Sequence, residues 1–351
     1  NESFQSMLSD QVNALGWQTV HGTPYDIGIA LGRAGHNAVH RHLLPSSIWA
    51  EVTASCYRET VATMAANTRH YFPAVWEELE GLAEGLALPF DAVFAWNCRG
   101  DLLPHVPDGC TTLAIPGDTP LLAHNEDGLP FFRGHCFIAE INPDQANGFM
   151  AFCYPGSIPG HTLAITRQGF VQAVNNLRLH GVKPTMPRMV LGRAALYQNS
   201  VATVIALLEQ HTQCGGFHFS LAERGRSEVV SVEFGAGALA HRELSASAVH
   251  ANHALFHAQG LAAQSITASS HDRQQRGEQL LAAGEQAPLT ILHDQQGNGL
   301  PILRLAADDP DQENTLATAV MRIEPDGVAW EMYDRPHSAP AYAGKLAFGW
   351  V

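Results

Sequence analysis

At Asp108-Gly109 the chain changes character, and this break constrains the fold more than any other feature. Before it, apolar residues recur at helical spacing. Residues 25–40 follow the turn Gly22-Thr23-Pro24, and residues 71–88 place Val75, Leu79, Leu82 and Leu86 near one face. Residues 91–98 continue in the same manner. After the break come short segments rich in strand formers and punctuated by Gly and Pro, at 111–115, 120–124, 136–141, 149–154, 161–165 and 169–174. Helical spacing returns at 189–211, where Ser200 is suited to cap the second half. Strand-like segments resume at 217–221, 228–234, 248–251, 316–323 and 328–332. This alternation predicts an α+β fold in which sheets pack together and helices cover them. No repeat, low-complexity tract or linker divides the 351 residues, so one structural domain is expected.

Composition narrows the function. Apolar residues make up 46% and charged residues 15%, which suits a large core and argues against disorder. Twenty basic against 34 acidic residues leave a formal charge of −14. Nucleic acid is a poor partner for such a surface, whereas an amine-bearing small molecule is compatible with it. No apolar run reaches membrane-spanning length and no basic-then-apolar leader opens the chain, so no membrane association and a cytoplasmic location are expected. The six cysteines form no C-x-x-C pair, and reduced thiols are expected. His250, His253 and His257 cluster, and a helix would put 253 and 257 on one face. Without H-E-x-x-H or an acidic partner, no metal and no cofactor are expected. Gly28, Gly32 and Gly35 lack dinucleotide-binding spacing, and Ser157 lacks the first glycine of a nucleophile elbow.

Cys110 carries the most chemistry. It follows Gly109, which tolerates unusual φ/ψ, and it opens a strand. From that position a thiol can attack the preceding carbonyl and turn the amide into a thioester, whose hydrolysis would leave Cys110 with a free thiol and a free α-amine. Such an amine has a reference pKa of about 7.7–8.0 and can accept the proton of its own thiol. One residue then supplies nucleophile and base. The plainer reading is a buried cysteine after a turn.

Six segments, in order, carry a resemblance. They are Gly22-Thr23-Pro24-Tyr25-Asp26-Ile27-Gly28, Ala95-Trp96-Asn97-Cys98-Arg99-Gly100-Asp101, Asp108-Gly109-Cys110-Thr111-Thr112, His124-Asn125-Glu126-Asp127, Val174-Asn175-Asn176 and Ala251-Asn252-His253. Together they resemble the G-T-P-aromatic-acid-I-G, N-x-R-T-E, D-G-C-T-[ST], Q-N-W-D, V-N-x-N and T-N-H motifs of the acyl-CoA:isopenicillin N (6-aminopenicillanic acid) acyltransferase family of Ntn-hydrolases. The resemblance implies the four-layer αββα sandwich of that class. It implies autocleavage between Gly109 and Cys110, with residues 1–109 a small subunit held against the catalytic residues 110–351 as a heterodimer. A homo-oligomer of such pairs is also compatible with it.

Residue by residue, the resemblance implies Cys110 as nucleophile, Asp127 beside its amine and thiol, and Asn252 as an oxyanion donor. Asn175 is expected in the substrate cleft, and His253 is structural. An arginine near the nucleophile matches Arg304 best, with Arg273 as rival. Taken alone, Asp127-Gly128 reads as a turn, Asn252 as a strand-end residue, and either arginine as a surface ion pair. Gly235 stands where the penicillin-forming members carry a serine. The expected activity is hydrolysis of an N-acyl amide through an acyl-enzyme on Cys110, a beta-alanyl-amine being one candidate. Transfer from an acyl-CoA thioester of the penicillin-forming type is the alternative, and a non-catalytic small-molecule binder on the same fold is the second.

Overall fold

The computed structural model describes residues 14–349, so the first thirteen positions of the expected small fragment lie outside the described residues. Two sheets face each other. The larger has eight strands in the order β1-β4-β5-β6-β7-β8-β9-β10, and the smaller six in the order β11-β2-β3-β12-β13-β14. In the larger these are β1 (Gly16–Gly22), β4 (Phe137–Pro143), β5 (Phe149–Cys153), β6 (Leu163–Thr166), β7 (Phe170–Asn176), β8 (Phe217–Glu223), β9 (Val229–Gly235) and β10 (Ala238–Leu244). In the smaller they are β2 (Gly109–Ile115), β3 (Leu121–Gly128), β11 (Ala248–His250), β12 (Asn314–Glu324), β13 (Gly327–Tyr333) and β14 (Tyr342–Ala347). Strands β5, β7 and β9 are buried along their whole length. Such two-sided burial requires a layer on each face.

Helices supply the outer layers. Over the larger sheet lie α1 (Pro24–Ala38), α2 (Ser47–Val52), α3 (Arg58–Tyr71), α4 (Pro73–Leu86), α5 (Phe90–Trp96) and α6 (Arg99–Leu102), followed by α7 (Arg188–Ala195) and α8 (Val201–Glu209). The short α9 (Ala258–Ala262) meets β10. Against the smaller sheet lie α10 (Ala268–Ala282) and α11 (Pro288–Leu292). The result is the expected αββα sandwich, with the main core between the sheets and beneath the first group of helices.

Local chemistry explains the well-read elements. Thr23 caps α1 in a reciprocal box with Asp26, and Pro24 stands in the first turn, where its missing N–H costs nothing. Val75, Leu79, Leu82 and Leu86 all face the core from α4. Ser200 caps α8 as predicted, but residues 196–200 interrupt the expected 189–211 helix. β1 is a correction: residues 16–22 lie in a region that reads as helical, yet they pair parallel with β4. A parallel partner more than a hundred residues away leaves no local signature.

Candidate active site

β2 and β3 pair antiparallel with Cys110 opposite Glu126 and Thr112 opposite His124. The pleat therefore sets these four side chains on one face, toward β7. Gly109 and Asp127 pair one residue earlier, so the Asp127 side chain falls on the other face. β11 pairs with β2 through His250 and Thr112, so the chain two residues beyond brings Asn252 alongside Cys110.

Asn252 is fully buried and spans Cys110. Its Oδ1 accepts from the Cys110 backbone N–H at 3.0 Å, and its Nδ2 lies 3.5 Å from Sγ. The same Nδ2 donates to the Asn176 carbonyl at 3.1 Å. α10 holds this asparagine in place. Ser270 accepts the Asn252 N–H at 2.8 Å, and Arg273 Nη2 donates to Asn252 Oδ1 at 2.8 Å. Arg273 also grips Cys110 itself, its Nη1 donating to the Cys110 carbonyl at 2.7 Å and to Thr111 Oγ1 at 2.9 Å. Burial lowers the Arg273 guanidinium to about 10, with Arg304 pushing the same way.

The thiol donates to the Val174 carbonyl at 3.2 Å and receives the Asn176 backbone N–H. Burial pushes its pKa well up, and the nearby Glu126 adds to the effect. The intact chain therefore carries a neutral thiol. A His124 ring nitrogen lies within 4.8 Å of the sulfur, but burial depresses it to about 3, a poor proton acceptor at neutral pH.

Arg304 sits elsewhere. It is buried among acids, with Nη2 on Asp309 at 2.7 Å and Nη1 at 3.6 Å from Asp127 and 3.3 Å from Glu313. Asp127 accepts from Thr315 Oγ1 at 2.7 Å, while its other oxygen is buried without a hydrogen bond. Neither carboxylate oxygen of Asp127 bonds the Cys110 N–H, which Asn252 takes instead. Burial raises Asp127 despite Arg304 and Arg273. Thus Arg273, the rival, touches Cys110, whereas Arg304 flanks Asp127 and Gly109.

Asn175 also has its amide engaged elsewhere. Its Nδ2 donates to the His250 carbonyl at 3.0 Å, and its Oδ1 accepts from Thr112 at 2.9 Å and faces His218 Nδ1 at 3.0 Å. Its neighbour Asn176 meets the thiol through the backbone. The three clustered histidines do not converge. His250 pairs with Glu233, His253 with Ser270, and His257 caps α9, so residues 251–257 are not the helix that would align them.

Gly109 is needed for space rather than for strain. Its φ lies outside the left-handed region, but a Cβ there would come within 2.3 Å of Glu313 Oε1 and 2.9 Å of Arg304 Nη1. At Gly235 a side chain is excluded outright, since φ is +128° and a Cβ would meet Gly216 Cα at 2.7 Å. The Gly235 position therefore has no room for the serine of the penicillin-forming members.

Glu313 escaped the sequence reading. Both its oxygens are buried without a hydrogen bond, and burial raises it to about 7 against the pull of Arg304 and Arg178. It lines a cavity of about 640 Å³, together with Pro104, His105, Phe131 and Arg178, and its Oε1 is the atom that a Cβ on Gly109 would meet. Nothing local marks Glu313, because its neighbours come from distant segments. His124 and Glu126 did carry a signal, two residues apart in a strand, but only the register with β2 shows what they face.

Residues 115–337 match the acyl-coenzyme A:6-aminopenicillanic acid acyl-transferase family. Over 215 residues the chain is 26% identical to the beta-alanyl-dopamine/carcinine hydrolase of Drosophila melanogaster, covering 54% of this chain and 55% of that protein. The chain thus spans about half the length of this curated relative.

Proposed function

We propose, from the premise that this chain belongs to the acyl-coenzyme A:6-aminopenicillanic acid acyl-transferase family, that it cleaves itself at Gly109–Cys110 and then hydrolyses N-acyl amines through Cys110. The observation that carries this reading is the Asn252 side chain, which meets both the Cys110 N–H and its Sγ from 142 positions away. A merely structural cysteine has no use for such a clasp.

In the first stage Sγ attacks the Gly109 carbonyl carbon, and the amide becomes a thioester as the Cys110 nitrogen leaves and takes a proton. Water then splits the thioester into a Gly109 carboxylate and the Cys110 thiol, which keeps the α-amine freed in the shift. In turnover that amine accepts the thiol proton while Sγ bonds to the substrate carbonyl. Asn252 Nδ2 and the Asn176 N–H sit by the sulfur as donors for the oxygen that gains charge. Removing one such donor typically costs about 10²–10³ in rate. As the C–N bond breaks, the leaving amine takes the proton from the α-ammonium, and water releases the acid and restores the thiol. Arg273 and Asn175 are positioning residues here, the first holding Cys110 and Asn252, the second holding Thr112 and His250. Asp127 and Arg304 set the field at the cut.

Hydrolysis is favoured over transfer because water is always present, whereas transfer needs an acceptor subsite. A beta-alanyl-amine is the first substrate to try, since the relative is named for one and the formal charge of −14 is compatible with a cationic acyl group. Intact-mass analysis and an amine-release screen test the proposal. Wild-type protein should yield fragments split at 109–110 and release amine, while Cys110→Ala should do neither. Turnover surviving in Cys110→Ala would remove this residue from the mechanism.

A further inference from the structure

Cys110, Glu126 and His124 point into one space between the sheets. One ligand atom from each, a thiol sulfur, a carboxylate oxygen and an imidazole nitrogen, all lie within 4.8 Å of one another. Each is also held from behind. His124 Nδ1 is 2.7 Å from Thr112 Oγ1, and that hydroxyl donates onward to Asn175, so the ring gives its Nδ1–H to Thr112 and turns Nε2 to the cluster. Tyr154 donates to Glu126 Oε2 at 2.8 Å, leaving Oε1 inward, 2.8 Å from His124 Nε2. Asn252 Nδ2 stands 3.5 Å from the sulfur. Metal-binding sites are built in this way, with the far side of each ligand oriented by a hydrogen bond.

We propose that Cys110, His124 and Glu126 form a binding site for a borderline-soft divalent cation, Zn²⁺ above all, whose occupancy blocks the thiol. Sulfur, imidazole and carboxylate are the donors zinc prefers, at about 2.0–2.3 Å, leaving a fourth position for water. Hard cations such as Mg²⁺ are poorly served by a thiolate. The balance is simple. With Thr112 fixing His124 as an acceptor at Nε2, Glu126 bonds to it as a protonated acid. One Zn²⁺ displaces two protons, from the thiol and from Glu126, and a dication with two anionic ligands and a neutral imidazole leaves no net charge between the sheets. The metal holds the electron pair that Sγ would otherwise use in attack, so its effect is inhibition, not catalysis.

The test uses the full chain, metal-free and reduced, with the exposed Cys56 replaced by serine to remove a competing thiol. No arm reads turnover, so the result is independent of which amide is cut. Calorimetry with Zn²⁺ should give one ion per chain. Zn²⁺, but not Mg²⁺, should slow iodoacetamide labelling of Cys110, followed by intact mass, at least tenfold. Glu126→Gln, which keeps the shape of the neutral acid, and His124→Asn should each weaken binding at least tenfold. His253→Asn, outside the cluster, should not change it. If either ligand variant loses its native melting transition, Cys110→Ser replaces it and must abolish the one-to-one binding. Zinc that leaves Cys110 labelling unaltered, or binds folded Glu126→Gln as tightly as the parent, overturns the proposal.

Discussion

At the residue scale, the region around Gly109 is a balance of buried charge. Glu313, Asp127 and Arg304 keep buried polar atoms near the junction that no hydrogen bond satisfies and that meet only through ion pairs of 3.3–3.6 Å. Such groups are costly in a dry interior unless a partner arrives. Glu313 gives the clearest test. Its folded pKa of about 7 stands above the ordinary glutamate value of 4.5. Between those values the native state binds more protons than the unfolded chain, so this group's contribution to stability falls as pH rises from 4.5 through 7. The stability difference between Glu313→Gln and wild type should therefore move in favour of glutamine by on the order of 3 kcal/mol between pH 4.5 and pH 8. Urea unfolding of both proteins at the two pH values measures it, and a difference that stays flat or reverses sign refutes the assignment.

At the element scale, the tightest joint lies between α1 and α4. Glycines allow their backbones to touch. A Cβ on Gly28 would stand 2.0 Å from the Glu78 carbonyl, and one on Gly81 would stand 2.2 Å from that of Tyr25. These obstacles are backbone atoms and cannot swing aside. Gly28→Ala should thus lower stability by about 3 kcal/mol, at the upper end of overpacking costs, even though alanine has the better helix propensity. The denaturant midpoint reads this, and an unshifted midpoint would mean that the helices separate at little cost. α4 is fastened further by Glu78, which meets Arg193 of α7 through bonds of 2.9–3.2 Å in a fully buried pair.

At the scale of the whole molecule, the residues before the junction are built into the same sandwich as those after it. β1 supplies an edge of the larger sheet, and α1, α4 and α5 share its core with β5 and β7. Cutting at 109–110 would leave these contacts intact. The two fragments should co-migrate in gel filtration without denaturant and separate only in strong denaturant. Separation of cut protein in native buffer would show that the first fragment is dispensable to the fold. No helix among the described residues is long and apolar enough to cross a membrane.

Sequence alone settled what short-range physics writes into a chain. The cap Ser200, the turn at Gly22-Thr23-Pro24, the apolar face of α4, most strands after Gly109, and the isolation of Cys110 behind a glycine all depend on spacings of a few residues. The resemblance added the sandwich and the candidates Cys110, Asp127 and Asn252. Long-range contacts alone decided the rest. β1 becomes a strand only because β4 lies beside it, and Arg273 rather than Arg304 reaches Cys110 only because α10 packs against β11. Glu126 and His124 face the thiol because one register, and not its neighbour, joins β2 to β3. A one-residue slip would send both to the other side of the sheet, and nothing local in the chain states which register the packed core selects.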